Sequence, residues 1–168
     1  LMGVKDHATL ARAADLGVAM QLTNICRDVG EDARAGRLYL PREMMQQAGI
    51  DPEVFLQNPQ PSEALTTVLK QMLAEAQRRY QLADEGIRQL PRSCRPGILA
   101  ARRLYAEIGQ TVAQNGYDSI NQRAVVSRVR KSQILFGLIR GPAAAPDYML
   151  APCAAENQFL LDAVPHTE

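Results

Sequence analysis

Apolar side chains recur at intervals of three and four residues along most of the chain, which is the periodicity of helices with one buried face. No stretch alternates apolar and polar residues well enough to indicate a strand. The pattern therefore predicts an all-α protein with about five helices. The predicted helices cover 9–32 and 42–48, a segment from an N-cap at Ser62 to about Leu90, a segment from about Pro96 to before Gly116, and 124–140.

The first predicted helix carries a line of polar side chains directly beside an apolar stripe. At about 100° per residue the polar line falls within roughly a quarter of a turn, and the stripe lies next to it. Since an ordinary amphipathic helix keeps its charges opposite the face that must be buried, this arrangement requires an explanation. The line consists of Gln21, Asn24, Asp28 and Asp32, and the stripe of Val18, Leu22, Ile25 and Val29.

The spacing of the two carboxylates suggests a cation site. Asp28 and Asp32 are one helical turn apart, at about 6 Å. At an effective dielectric constant of about 20 they repel by roughly 3 kcal/mol, so a partly buried pair needs a cation or a proton. With Asn24 they offer three oxygen donors, which select a hard cation such as Mg²⁺ bound to substrate phosphates. The alternative is a solvated, charged helix end.

Composition narrows the class of protein without identifying it. The 168 residues are 46% hydrophobic and 22% charged, with a formal net charge of +1, as in an ordinary globular domain. No dense basic run with interleaved aromatics indicates nucleic acid. The three cysteines are far apart in sequence and suggest a reducing, cytosolic compartment. With only two histidines, the sequence fits a zinc site or a Ser-His-Asp triad poorly. The apolar run 134–139 is too short to span a bilayer.

Several further side chains have both a functional and a structural interpretation. Arg27 and Arg37 flank the carboxylates, where they would either neutralise local charge or grip phosphate oxygens. Tyr105 lies on the apolar face of its helix, where a tyrosine is usually part of the core. A basic group near the last helix would be a solvated face, a phosphate site or a membrane-surface patch; it consists of Arg123, Arg128, Arg130 and Lys131.

The segment "LGVAMQLTNICRDVGEDARAGRLYLPREMMQQAGID" resembles the second aspartate-rich region of the squalene/phytoene synthase family, and most of all its bacterial phytoene synthases. The resemblance continues through "CRPGILAARRLYAEIG" and "NGYDSINQRAVVSRVRK", so that it covers roughly residues 1–131. It implies the all-α isoprenoid-synthase fold, in which two aspartate-rich motifs lie on opposite sides of a central cavity. It also implies a head-to-head prenyl transferase.

The resemblance also implies a role for each candidate residue. Asn24, Asp28 and Asp32 would bind Mg²⁺, with Mn²⁺ as a substitute, and this ion would hold the diphosphate of an isoprenoid substrate. Gln21, Arg27, Arg37 and Arg123 would contact substrate, and Tyr105 would lie at the reacting centre with Asp28 and Asp32. The polar line would then border apolar residues, including Met20 and Leu22, because the substrate has a charged head and a hydrocarbon tail.

The reaction expected from the resemblance joins two molecules of geranylgeranyl diphosphate to phytoene through prephytoene diphosphate, a step of carotenoid biosynthesis. The alternatives are the synthesis of squalene or presqualene diphosphate from farnesyl diphosphate, and a non-catalytic helical fragment or subunit. The expected location is the cytoplasm, with a peripheral membrane contact for product release.

The first aspartate-rich motif of the family is not found in this sequence. Asp6, Asp15 and the pair Asp84–Glu85 do not form its pattern. We therefore expect residues 1–140 to be the C-terminal part of a synthase domain, an incomplete half of the helical bundle and inactive in isolation. Residues 141–168 are expected to form a flexible tail.

Overall fold

The computed structural model describes residues 7–139, and within this range every regular element is a helix. The all-α prediction is therefore confirmed for these residues. The predicted division between a domain and a tail at residue 140 lies at the edge of the described range, and the tail lies outside it. The helices are α1 (His7–Arg34), α2 (Arg42–Gln47), α3 (Pro52–Gln57), α4 (Glu63–Gln89), α5 (Arg95–Gln114) and α6 (Arg128–Ile139).

Helix ends follow the local sequence closely where a capping side chain is present. The Ser62 hydroxyl accepts a hydrogen bond from the Leu65 amide at 3.0 Å, which confirms it as the N-cap of α4. α3 was not predicted, although Asp51 caps it and Pro52 opens it, a common start signal. The predicted start of the last helix at Ala124 is wrong: α6 begins at Arg128, after Ser127, whose hydroxyl accepts from the Arg130 amide.

The core lies where α1 packs along α4, with α5 beside both helices and α2 and α3 covering one end. One buried cluster joins α1 to α4 and to the short helices, and includes Cys26, Met45, Phe55, Val68 and Leu69. A second, smaller cluster joins α1, α4 and α5 through Ala19, Ala76, Tyr80 and Ala106. The three long helices therefore fix the position of the α1 face that carries the candidate site.

The face of α1 that enters the core differs from the predicted apolar stripe. Of that stripe only Val29 is buried; Val18, Leu22 and Ile25 are half-buried at its edge. The core face is made of small side chains, with Ala19, Thr23 and Cys26 all fully buried. These small residues allow α4 to approach closely. The buried Thr23 hydroxyl forms hydrogen bonds with the Ala19 carbonyl and the Tyr80 hydroxyl, both at 2.9 Å.

Buried charges also hold α1 against α4. Asp15 is fully buried and pairs with Arg12 at 3.3 Å and with Arg79 of α4 at 3.2 Å. Gly86 of α4 lies under Arg12, so close that a Cβ atom there would be 2.3 Å from the Arg12 Cβ. Asp15 thus has a structural role, and so does Asp84, which pairs with Arg102 at 2.7 Å.

Within residues 7–139, no helix has the length and apolar character needed to cross a membrane.

Candidate active site

The polar line of α1 lies on the side of the helix that faces away from the core. Asn24, Asp28 and Asp32 are half-buried, and Gln21 is exposed one turn earlier with no partner among the described residues. A continuous helix over His7–Arg34 keeps the four side chains on one face, as the spacing predicted. α1 therefore presents two amides and two carboxylates along a single line.

Asp28 is the centre of the charged part of the site. The Nε atom of Arg27 donates to its Oδ1 at 2.7 Å, and Arg27 Nη2 donates to Oδ2. Arg123, which is 95 residues away in sequence, donates through Nε to the same Oδ1 at 2.9 Å. Arg123 also lies 3.2 Å from Glu31 Oε2. The carboxylate is thus held between two guanidinium groups from different parts of the chain.

These contacts decide the charge state of Asp28. Partial burial alone would raise the pKa of its carboxyl group, but the hydrogen bonds and positive charges of Arg27 and Arg123 outweigh it and lower the pKa. The hydrogen bond to Asp28 in turn raises the pKa of Arg27. At neutral pH the site therefore contains an anionic carboxylate and two cationic guanidinium groups.

Asp32 belongs to the turn that ends α1. Its side chain accepts from Arg37 Nη2 at 3.1 Å and from Nε at 3.3 Å, and its carbonyl accepts from the Arg37 amide at 2.8 Å. Gly36 adopts a φ of 70° between them, a left-handed conformation that favours glycine. Asp32 is 18% exposed and Arg37 is 56% exposed, so the arginine head reaches solvent, which screens the pair.

An apolar cavity of about 340 Å³ opens beside Arg27 and Arg123. Tyr105 is half-buried at this cavity and also packs against the small cluster of α1, α4 and α5. Its hydroxyl has no hydrogen-bond partner in the part of the chain that the structure describes. The remaining lining residues are Leu104, Ile108, Ala124, Val125, Val126 and Lys131. The site therefore combines a cationic rim with an apolar interior.

The basic group near the last helix is divided by the fold. Arg123 and Lys131 are at the cavity. Arg130 instead pairs with Glu107 of α5 at 2.6 Å, and Arg128 is exposed. All four side chains are exposed, as expected for a solvated basic face, and only Arg123 and Lys131 also line the cavity.

The oxygen donors of α1 fit a hard cation in their chemistry. The Oδ1 atom of Asn24 is buried and accepts no hydrogen bond. A bound cation would give this oxygen a partner. Asp28 and Asp32 add carboxylate oxygens on the same face. Among residues 7–139 no group of three His, Cys, Asp or Glu side chains could hold a metal, so a site here would combine one amide with two carboxylates.

Sequence reasoning missed two contributors to the site. Glu31 pairs with Arg123, and its position three residues after Asp28 places it one turn further along α1. Gly30 lets another segment of the chain reach the helix, since its amide donates to the Ser119 carbonyl at 2.9 Å. The local pattern around Gly30 contains no signal for this contact, which depends on a segment far away in sequence.

Comparisons with known proteins identify the family to which this chain is similar. The sequence model of the squalene/phytoene synthase family matches residues 1–130. The chain is 45% identical to a phytoene synthase of Rhodobacter capsulatus, over 99% of this chain and 50% of that protein. It is 51% identical to a phytoene synthase of Cereibacter sphaeroides, over 78% of this chain and 37% of that protein. The chain thus spans about half or less of the length of these relatives.

A solved structure of a dehydrosqualene synthase in complex with a ligand superposes with a TM-score of 0.65, over 75% of this chain and 44% of that one, at 33% identity. The helical arrangement therefore matches the fold expected from the sequence. Family model, relatives and fold together show that this chain belongs to the squalene/phytoene synthase family.

Proposed function

We propose that this chain forms one side of the active site of a head-to-head prenyl transferase that condenses two molecules of geranylgeranyl diphosphate to phytoene. The observation that carries the proposal is the junction at Asp28, where two arginines meet an apolar cavity of about 340 Å³. A prenyl diphosphate has the same two parts, a strongly charged head and a hydrocarbon tail. The two bacterial relatives, both phytoene synthases, support this choice of product.

The diphosphate is recognised by the cationic side chains at the rim. Arg27 and Arg123 hold Asp28 in the free protein and exchange it for diphosphate oxygens when substrate binds, since a guanidinium group binds carboxylate and phosphate oxygens with the same donor geometry. Lys131 adds a point charge beside the cavity, and Arg37, with its exposed head, is able to turn from Asp32 towards the substrate. Gln21 offers an amide one turn away.

Asn24, Asp28 and Asp32 would hold Mg²⁺, or Mn²⁺ in its place. When bound, the ion neutralises charge on the departing diphosphate as a Lewis acid. The support in this chain is the buried Asn24 oxygen without a hydrogen-bond donor and two half-buried carboxylates on the same helical face. Binding of Mn²⁺ to the intact protein, followed by its electron paramagnetic resonance, should weaken in Asn24→Ala as well as in Asp28→Asn.

The apolar part of the cavity protects the reaction from water. Allylic and cyclopropylcarbinyl cations are quenched by water, and Leu104, Ile108 and Val126 give the space beside the charged rim an apolar lining that disfavours water. Tyr105 places a hydroxyl without a protein partner among these side chains. That hydroxyl is suited to contact the diphosphate of the intermediate, prephytoene diphosphate, or the cation formed from it.

The experiment that tests the proposal compares two substrates. The intact protein is incubated with Mg²⁺ and either geranylgeranyl or farnesyl diphosphate, and the extracted hydrocarbon is identified by mass spectrometry. We expect phytoene from the first substrate and little turnover of the second. Squalene, dehydrosqualene or presqualene diphosphate as the main product would favour the farnesyl alternative, for which the dehydrosqualene synthase likeness is the supporting observation. No product from either substrate, in a protein that contains both halves of the synthase domain, would favour a non-catalytic helical protein.

We also propose a cytoplasmic enzyme that touches a membrane surface to release its apolar product. The supporting residues lie on α6, where Val129 and Phe136 are 69% and 68% exposed on the same helix as the cations of Arg128 and Lys131. Flotation of the intact protein with vesicles containing anionic lipid should fall in Phe136→Glu. Equal flotation of both proteins would contradict this contact.

A further inference from the structure

The segment that carries Arg123 reaches the active site by crossing α1 at Gly30. A Cβ atom on Gly30 would lie 2.5 Å from the carbonyl oxygen and 2.8 Å from the Cα of Ile120, and 2.8 Å from the carbonyl oxygen of Ser119. All three are backbone atoms, which cannot turn away as a flexible side chain can. The crossing is therefore possible only with glycine at this position.

Two hydrogen bonds fix the crossing from the α1 side. The Gly30 amide donates to the Ser119 carbonyl at 2.9 Å, and Arg34 Nη1 donates to the Ile120 carbonyl at 3.0 Å. Ser119 and Ile120 are each only 5% exposed. The backbone at this point is thus bound to the same helix that carries Asp28.

The segment is also stiff on its own. After α5, Gly116 and Tyr117 both have positive φ angles, 68° and 62°, and the Tyr117 amide donates to the Val112 carbonyl at 2.9 Å. Asp118 Oδ1 then accepts from the amides of Ile120 and Asn121 at 3.2 and 3.0 Å. These contacts order the backbone from the end of α5 up to Asn121, two residues before Arg123.

Arg123 follows three residues after the crossing. Its Nε atom binds Asp28 at 2.9 Å, and Ala124 and Val126 are buried on either side of the exposed Val125. Because the segment is held on both sides of Arg123, the position of its backbone determines where the guanidinium group can reach.

We propose that Gly30 is a positioning residue: it lets the main chain of Ser119 and Ile120 touch α1, and so sets Arg123 at the distance from Asp28 at which it binds the substrate diphosphate. The part that concerns diphosphate rests on the proposed function. The part that concerns the Arg123–Asp28 contact does not.

The test uses Gly30→Ala in the intact protein, with Gly17→Ala as the matched control. Both glycines are in α1, but a Cβ on Gly17 would meet nothing within 4 Å. Inorganic diphosphate is the probe, titrated by calorimetry in the presence of Mg²⁺. We expect Kd to rise roughly 10-fold in Gly30→Ala, the effect of losing one hydrogen bond to a charged group, and to stay unchanged in Gly17→Ala.

Combination with Arg123→Gln separates positioning from a general structural effect. If Gly30 acts through Arg123, the double variant binds diphosphate no more weakly than Arg123→Gln alone. The proposal would be overturned if the two increases in Kd multiplied in the double variant. It would also be overturned if Gly30→Ala bound diphosphate normally while Arg123→Gln bound it weakly. Should Gly30→Ala fail to fold, Arg34→Ala loosens the same crossing without a clash, and its Kd should rise in the same direction.

A second measurement keeps the inference independent of the enzyme activity. The coupling between Asp28 and Arg123 in the unfolding equilibrium, measured with Asp28→Asn, Arg123→Gln and their double variant, should be roughly two- to five-fold in the native background. It should disappear in the Gly30→Ala background. If the native protein does not bind diphosphate, the proposed function fails, while a coupling that persists in Gly30→Ala would refute the positioning role itself.

Discussion

Replacement of Asp28 by asparagine removes the negative charge at the point where two arginines meet. Arg27 and Arg123 both donate to its Oδ1, at 2.7 and 2.9 Å. Hydrogen bonds to charged groups contribute about 1.5–3 kcal/mol when they are shielded from water. Asp28 and Arg27 are only 18% and 19% exposed, but Arg123 is 47% exposed, so solvent screens the second pair strongly. We therefore expect the free energy of unfolding to fall by about 1–2 kcal/mol.

The same substitution should reduce turnover far more than stability. In the proposed enzyme Asp28 belongs to the ion site that acts on charge developing in the transition state, where loss of one group typically costs on the order of 10²-fold or more. The assay measures phytoene formation by the intact protein at saturating Mg²⁺, together with its melting curve. Asp32→Asn should behave similarly in turnover.

Glu53→Gln is a suitable control for the Asp28 experiment. It removes a carboxylate from a pair with Arg42 in which both side chains are more than half exposed, away from the site. Turnover and melting should both stay close to those of the native protein. Near-native turnover in Asp28→Asn and Asp32→Asn would refute the assignment of these carboxylates to the reaction.

Three further predictions concern other parts of the molecule. Tyr105→Phe should change the free energy of unfolding by less than about 1 kcal/mol, since the Tyr105 hydroxyl has no partner within residues 7–139. It should nevertheless slow turnover and release prephytoene diphosphate. Unchanged turnover would show that Tyr105 is a packing residue. Gly86→Ala should destabilise by about 2 kcal/mol in urea unfolding, because its Cβ would overlap Arg12, whereas the exposed helical Gly97→Ala should not. The pKa of Asp28 is lowered in the folded state, so its carboxylate stabilises the fold above the ordinary Asp pKa of about 3.9, and this stabilisation is lost as the pH falls further. The difference in unfolding free energy between the native protein and Asp28→Asn should therefore shrink over that range. A difference that stays constant with pH would contradict this prediction.

The sequence by itself determined the local features of this protein. The three- and four-residue spacing predicted α1, α4 and α5 because a long helix repeats its buried face every turn. The same geometry placed Asn24, Asp28 and Asp32 on one line, since side chains four residues apart share a face whatever the rest of the fold does. Ser62 was recognised because capping involves only neighbouring residues. α3 could have been found in the same way from Asp51 and Pro52.

The tertiary structure alone decided which contacts join distant parts of the chain. The apolar stripe of α1 predicts its core face, but α4 packs instead against small residues such as Ala19 and Thr23. A pattern of large apolar side chains gives no sign of a face built from small ones. Arg123 meets Asp28 across 95 residues of sequence only because Gly30 admits the backbone at Ile120. Such contacts depend on how helices and turns pack against one another, and a local pattern of polar and apolar residues contains no record of that packing.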